Sequence, residues 1–197
     1  NGNGTFTFDL KDQLDHAAAA GDDGILTLDL TGAFSATDYD GDAVTLNADS
    51  ITVVVENDIP QSVTSATASI RVEEDELSTG SGDLSNGITD GDGDDDETDF
   101  TSASLAALVT PGADEPIDFN LKTAALNGVG VVTTANGAVT LQGIVVKYFS
   151  IDANNLIGFA DTNGDGIKDA GEREVFRLTD NGNGSFTFDL KDQLDHG

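Results

Sequence analysis

The chain has 197 residues, 37 of them acidic and 8 basic, giving a formal charge of -29, and it contains no Cys, Met or Trp. With no basic stripe there is nothing to neutralise nucleic-acid phosphates or to rest on an anionic membrane surface, so neither is expected as a partner. The lack of Cys excludes a disulfide framework, a thiolate zinc site and a thiol nucleophile. No apolar run reaches spanning length, so direct membrane insertion is not expected either. A hydrophobic fraction of 38% suffices for a core, but self-repulsion opposes compaction unless cations bind or ionic strength is high.

The first stretch, Asn1–His16, reads NGNGTFTFDLKDQLDH and returns as Asn181–His196, NGNGSFTFDLKDQLDH. The two match at fifteen of sixteen positions, with Thr5 against Ser185 the one difference. Self-similarity at a fixed period marks an array of like units, so the chain reads as one full repeat plus sixteen residues. Both copies read as a strand led in by an Asn-Gly-Asn-Gly turn. Helical spacing of Leu10, Leu14, Ala17 and Ala18 predicts a helical turn within Lys11–Ala20, with Gly21 as its stop.

Strands are then predicted over Ile25–Leu30, Ala43–Leu46 and the β-branched run Ile51–Val55. Further strands are expected over Ser69–Val72, Phe100–Val109, Ile117–Leu121, Val129–Thr133 and Val139–Phe149. Leu156–Ala160, Glu174–Leu178 and Ser185–Leu190 complete the set. Turn residues between closely spaced strands predict an all-β protein built from antiparallel sandwiches rather than βαβ units. The sharpest boundary is ENDIP, Glu56–Pro60, where a strand ends in acids and a proline that cannot continue a ladder. It divides the chain into residues 1–58, the closing part of one repeat, and residues 59–197, the opening part of the next.

The most specific chemical signal is DTNGDGIKDAGE, Asp161–Glu172, which meets the twelve-residue calcium-loop pattern at every defining position. Asp161, Asn163 and Asp165 supply oxygens on one side of a tight turn, Gly166 permits the bend, and Ile167 offers its carbonyl. Asp169 reaches directly or through water, and Glu172 closes the shell. The flanks LIGFA and EVFRL read as strands, so the loop is expected to join two strands and to rigidify rather than switch. A second acidic loop, Asp38, Asp40 and Asp42 in DYDGD, lacks the glycine and terminal Glu of the full pattern. It needs ligands from elsewhere, such as Glu56, Asp58 or the Glu73–Glu76 cluster. Three carboxylates held this close repel at about 1 kcal/mol per pair even in water, a penalty that a divalent ion removes. The third run begins the pattern with Asp90, Asp92 and Asp94, but Asp95 stands where glycine is wanted and no Glu closes it. Each loop has a plainer reading as a solvated acidic turn.

No nucleophile elbow, phosphate loop or H-E-x-x-H is present. Each copy of the repeated stretch carries one His, too few for a His-rich metal site or a triad. Catalytic carboxylates sit in apolar or aromatic clefts, and this chain offers two Tyr, no Trp, and Phe residues that alternate as core residues do. An enzyme is therefore not expected.

Four stretches together carry a family resemblance: LAALVTPGADEP at Leu105–Pro116, the repeated NGNGSFTFDLKDQLDH, ATDYDGDAVTL at Ala36–Leu46, and VVVENDIP at Val53–Pro60. They resemble the tandem type I secretion target repeats of giant bacterial RTX adhesins, and the ENDIP end is similar to the calcium-binding linkers of cadherins. The resemblance implies Ig/cadherin-like β-sandwich extender units, secreted to the bacterial cell surface, stiffened by calcium and stacked on neighbouring repeats of the same chain. It supports Asp38, Asp40, Asp42, Glu56 and Asp58 as junction ligands and makes the Asp161–Glu172 loop an addition within the repeat. The function it implies is a calcium-stabilised spacer serving adhesion and biofilm formation. The competing expectation is a calcium-dependent module that binds a surface glycan or protein.

Overall fold

The computed structural model describes residues 5–17, 24–93, 95–113 and 116–196. The chain forms two compact units, Asn1–Ser62 with Thr110–Pro116, and Val63–Val109 with Ile117–Gly197. Both are built from antiparallel strands, so the class is all-β.

The first unit contains β1 (Ile25–Asp29), β2 (Ala36–Thr37), β3 (Ala43–Val44), β4 (Thr52–Glu56) and the short β5 (Gln61–Ser62). The alternation ILTLD pairs antiparallel with the β-branched TVVVE, setting Leu26 opposite Val55 and Leu28 opposite Val53. These four half-buried side chains share one face, where cross-strand pairs of this kind stabilise a sheet. Thr31 holds the connection between β1 and β4: its buried hydroxyl accepts the N–H groups of Ser50 and Ile51 at 3.1 Å each. Residues returning at 110–116 join this unit, with Ala113 lining a small cavity of about 60 Å³ beside Leu10, Leu14, Val55 and Asn57.

The second unit contains β6 (Glu97–Phe100), the helix α1 (Ser102–Ala106), and β7 (Val109–Thr110), at which the chain leaves the unit. Then follow β8 (Thr140–Leu141), β9 (Ile144–Ser150), β10 (Asn155–Ala160), β11 (Glu174–Asp180) and β12 (Phe186–Leu190). Six of these form one antiparallel sheet in the order β6-β12-β11-β10-β9-β8. Along β10, Leu156, Ile157, Phe159 and Ala160 are all buried, so both faces of the sheet are covered. On one face Val146, Ala160, Val175, Phe176 and Leu190 pack with Leu77 and Val131, which come from outside the strands. On the other, Phe159 meets Phe149 edge-on at 6.2 Å. Gly158 is required by this packing, since a Cβ there would collide with the ring of Phe176.

Several expected strands take other forms. Phe100–Val109 was expected as one strand, but the ladder ends at Phe100 and α1 begins at once. The Thr101 hydroxyl caps it by accepting the Ser104 N–H at 3.1 Å, and the following SASLA is rich in helix formers. Ser69–Val72 and Ile117–Leu121 form no strand, and Val129–Thr133 contributes only isolated bridges, Gly130 with Lys147 and Val132 with Ala138. Lys11–Ala17 is not helical, and the remainder of that expected helical turn lies outside the described residues.

The turn between β8 and β9 shows how the end of the repeated stretch is tied in. Gln142 and Gly143 both have left-handed φ values, 51° and 80°. That is the demand of a two-residue hairpin turn, and one a Gln meets only with support. The Asp195 carboxylate supplies it, accepting both turn N–H groups at 2.9 and 2.7 Å and the Thr140 hydroxyl at 2.7 Å.

Gly158→Ala should destabilise the second unit by about 1–3 kcal/mol through overpacking against Phe176, read as a lowered melting temperature with the β signal retained before the transition. The Gly143 N–H, the Thr140 hydroxyl and the Gln142 N–H hold the Asp195 pKa below the ordinary carboxylate value. A depressed folded-state pKa gives stability that is present above about pH 4 and is lost as pH falls through the folded value. Asp195→Asn should therefore lower the melting temperature at pH 7 and lessen its fall between pH 5 and pH 2.5 on acid titration.

Candidate metal-binding loops

The loop Asp161–Glu172 joins the adjacent strands β10 and β11, as its flanks imply. Its two end carboxylates are buried, Asp161 at 5% and Glu172 at 8% exposure, while Asn163, Asp165 and Asp169 are exposed. Backbone amides hold the buried pair in place. Asp161 accepts the N–H groups of Gly164 and Gly166 at 2.8 and 3.0 Å, one on each oxygen. Glu172 accepts the Thr162 N–H and hydroxyl on one oxygen, at 2.7 and 2.9 Å, and the Asp169 N–H on the other at 3.0 Å. Gly166 makes the bend with a φ of 76°.

A cation already lies against this loop. The Lys147 ammonium, reaching from β9, is 2.6 Å from the second oxygen of Asp161. Burial pushes the Asp161 pKa up, but the Lys147 ammonium and the Gly166 and Gly164 amides outweigh it and leave the group below its ordinary value. Burial likewise raises Glu172, and the Asp169 and Thr162 donors reverse the sign. Both groups are therefore held as carboxylates. On the exposed side the Asn163 amide bridges Asp165 and Asp169 at 3.1 and 2.9 Å. The donor set of carboxylates, one amide oxygen and the Ile167 carbonyl is all hard oxygen, the kind that calcium takes. These residues could hold the ion, with the side chains of four of the six, Asp161, Asn163, Asp165 and Glu172, held by main-chain N–H groups.

Asp38, Asp40 and Asp42 sit in the five-residue hairpin loop between β2 and β3, and bring one oxygen each within 4.8 Å of one another. Asp38 anchors the loop by accepting the Gly41 and Asp42 N–H groups at 3.1 and 2.8 Å. Its pKa is lowered, first by a hydrogen bond from Asp40 and then by the Asp42 amide. Glu56, at the end of β4, and Asp58 belong to none of the carboxylate triplets found among the described residues.

Two further triplets converge within the second unit: Glu73 with Asp90 and Asp92, and Asp75 with Glu76 and Asp90. The Glu73–Glu76 cluster thus meets the third acidic run within its own unit. Asp94 lies outside the described residues. A cleft of about 680 Å³ opens beside this cluster, lined by Glu73, Glu74 and Asp75 together with Phe188, Leu190 and Leu194. The sequence had a signal for this meeting, the acidic stretch EEDE, but nothing local says which of two distant runs it will face. Asp96 has its pKa raised to about 7, by burial first and then by Asp95 and Asp83. A raised carboxyl pKa means that Asp96 costs stability increasingly as pH climbs from about 4 to 7.

In the presence of EDTA, Lys147→Met should lower the melting temperature by several degrees, because it leaves the buried Asp161 carboxylate with no cation beside it. Lys147→Arg, which retains the charge, should recover most of that loss on the same thermal scan.

No family model, curated protein or solved structure matches this chain.

Proposed function

We propose that the chain is a calcium-stabilised spacer unit of a repetitive, secreted cell-surface protein of the RTX-adhesin kind. Its task is to hold a long polypeptide extended, and the six-stranded sheet forms one layer of a sandwich. The observation that carries this reading is the preset loop between β10 and β11, whose buried Asp161 and Glu172 are aimed by main-chain amides. The near-exact return of sixteen residues supports the repetitive part.

Asp161, Asn163, Asp165, Asp169, Glu172 and the Ile167 carbonyl would hold calcium in this loop. Asp38, Asp40 and Asp42 offer a second set, Glu73, Asp90 and Asp92 a third. The ion supplies positive charge where a chain with 8 basic residues against 37 acidic ones has little to give. Extracellular calcium modules bind in the range of roughly 0.1–1 mM. One filled site adds about 2.7 kcal/mol when the ion stands a hundredfold above its dissociation constant.

Thermal unfolding in EDTA and across a calcium titration, with magnesium as control, tests the reading together with small-angle scattering of the same samples. Calcium, and not magnesium, is expected to raise the melting temperature and to lengthen or narrow the distribution of molecular shapes. Glu172→Gln keeps the size of the side chain and an acceptor for Thr162, but removes the charge. It should shift the calcium midpoint upward by about tenfold or more, equivalent to roughly 1.4 kcal/mol. A melting temperature indifferent to calcium would sink the proposal.

A further inference from the structure

The loop between β10 and β11 is balanced by donors of its own unit. The Lys147 ammonium lies 2.6 Å from the second oxygen of Asp161 and donates to the Gly164 carbonyl at 3.4 Å. The Asn163 amide nitrogen serves Asp165 and Asp169, and Glu172 takes the Thr162 and Asp169 donors. Of these donors only Lys147 carries a charge, and it stands on the carboxylate that opens the calcium pattern.

Strand register puts the lysine there. Lys147 lies opposite Phe159 on β10, and Asp161 follows two residues later, so the two side chains start from one face of the sheet. The ladder still holds at that point, where the Asp161 N–H donates to the Val145 carbonyl at 3.1 Å. On its other side Lys147 bridges to Gly130, and the loop rests on the same neighbouring segment: a Cβ at Gly128 would come within 3.1 Å of the Gly166 carbonyl. The Asp161 side chain is 0% exposed and that of Lys147 21%, so the pair meets where water screens it little.

Lys168 makes the contrast. It belongs to the loop itself, yet its ammonium donates to the Asp169 and Glu172 carbonyls at 3.1 and 2.5 Å and to none of the side-chain oxygens offered to a metal. An ammonium and a calcium ion compete for one kind of partner, an anionic oxygen, and cannot both sit on a buried one without strong repulsion.

We propose that Lys147 is the resident counter-cation of this loop: it takes the metal's place on Asp161 when calcium is scarce, must be displaced for the ion to enter, and so sets the calcium concentration at which the site fills. This rests on the calcium reading of the loop. The lysine stabilises the ion-free loop and opposes the filled one. Neutralising it therefore weakens the protein in EDTA and tightens calcium binding, whereas loss of a merely structural contact would weaken both.

Calcium titration calorimetry on the full chain, at neutral pH and fixed ionic strength, tests the affinity. The site whose midpoint moves in Glu172→Gln identifies the loop. Lys147→Met and Lys147→Gln should each lower the calcium dissociation constant there by about tenfold or more, the effect of removing a like charge within a few ångströms. Lys147→Arg, which keeps the charge, and Lys168→Met, which removes one that touches no ligating oxygen, should stay within about threefold of the unaltered chain. The displacement itself is read without any variant, by brief acetylation with acetic anhydride and mass spectrometry. Calcium should raise the labelling of Lys147 severalfold relative to the exposed Lys11 and Lys122. If the unaltered chain binds calcium at the loop and Lys147→Met binds no more tightly, or if the labelling of Lys147 does not rise, the proposal fails and the spacer reading stands. If calcium enters the loop only in Lys147→Met, the lysine is a block, which upholds the proposal and overturns calcium stabilisation of the unaltered loop. If neither chain binds calcium at the loop, both readings fail.

Discussion

The structure depends on how a chain with a charge of -29 places its few cations. Among the described residues four carboxylates are buried, Asp83, Asp161, Glu172 and Asp192, and all lie in the unit that holds the six-stranded sheet. Lys191 stands 3.5 Å from Asp83, Lys147 2.6 Å from Asp161, and Arg173 2.6 Å from Asp192. Glu172 is met by main-chain and threonine donors instead. A buried charge without a partner costs several kcal/mol, whereas one that is paired and hydrogen-bonded can be tolerated. Three of the eight basic side chains are therefore committed to interior acids, and most surface carboxylates must be served by backbone amides or by ions from solution.

The first unit shows that scarcity most plainly. Asp38 turns inward to its own loop amides, and Asp29 does the same with Thr31. These carboxylate turns are short-range and hold their shape without a neighbouring lysine. The apolar pairing of β1 with β4 is correspondingly modest, with alternate side chains only half-buried.

The antiparallel all-β class was legible because alternation and turn chemistry are local, and β1, β4 and β10–β12 lie close to where periodicity puts them, whereas the single strand expected over Val139–Phe149 folds back at Gln142–Gly143 into β8 and β9. The strand expected across Phe100–Val109 ignored a helix start written in the same residues, Thr101 as cap followed by SASLA. Alternation in Ser69–Val72 and Ile117–Leu121 was real but found no ladder, since a strand exists only if another chain segment offers its amides. The repeated stretch states the point most directly: near-identical residues are strand at 186–190 and not at 6–10, because β6 and β11 flank only one of them. The spacing of the Asp161–Glu172 loop was fully readable, but Lys147 beside it was not, being brought in from β9 by strand register. The Glu73–Glu76 cluster was visible as the acidic stretch EEDE, but that it meets Asp90 and Asp92 was hidden, a product of tertiary folding.

The strand order β6-β12-β11 also dictates when this sheet can form. Glu97–Phe100 has its ladder partner in Phe186–Leu190, so the edge of the sheet waits for residues far downstream. Closing so long a loop carries an entropic cost before any contact repays it, which slows folding. The first unit has the same character in miniature, for it includes Thr110–Pro116, contributed only after much of the second unit's sequence has passed. Glu97–Phe100 thus stays without its ladder partner until Phe186–Leu190 has been made, and the strong negative charge of the chain helps to keep the waiting segment from associating.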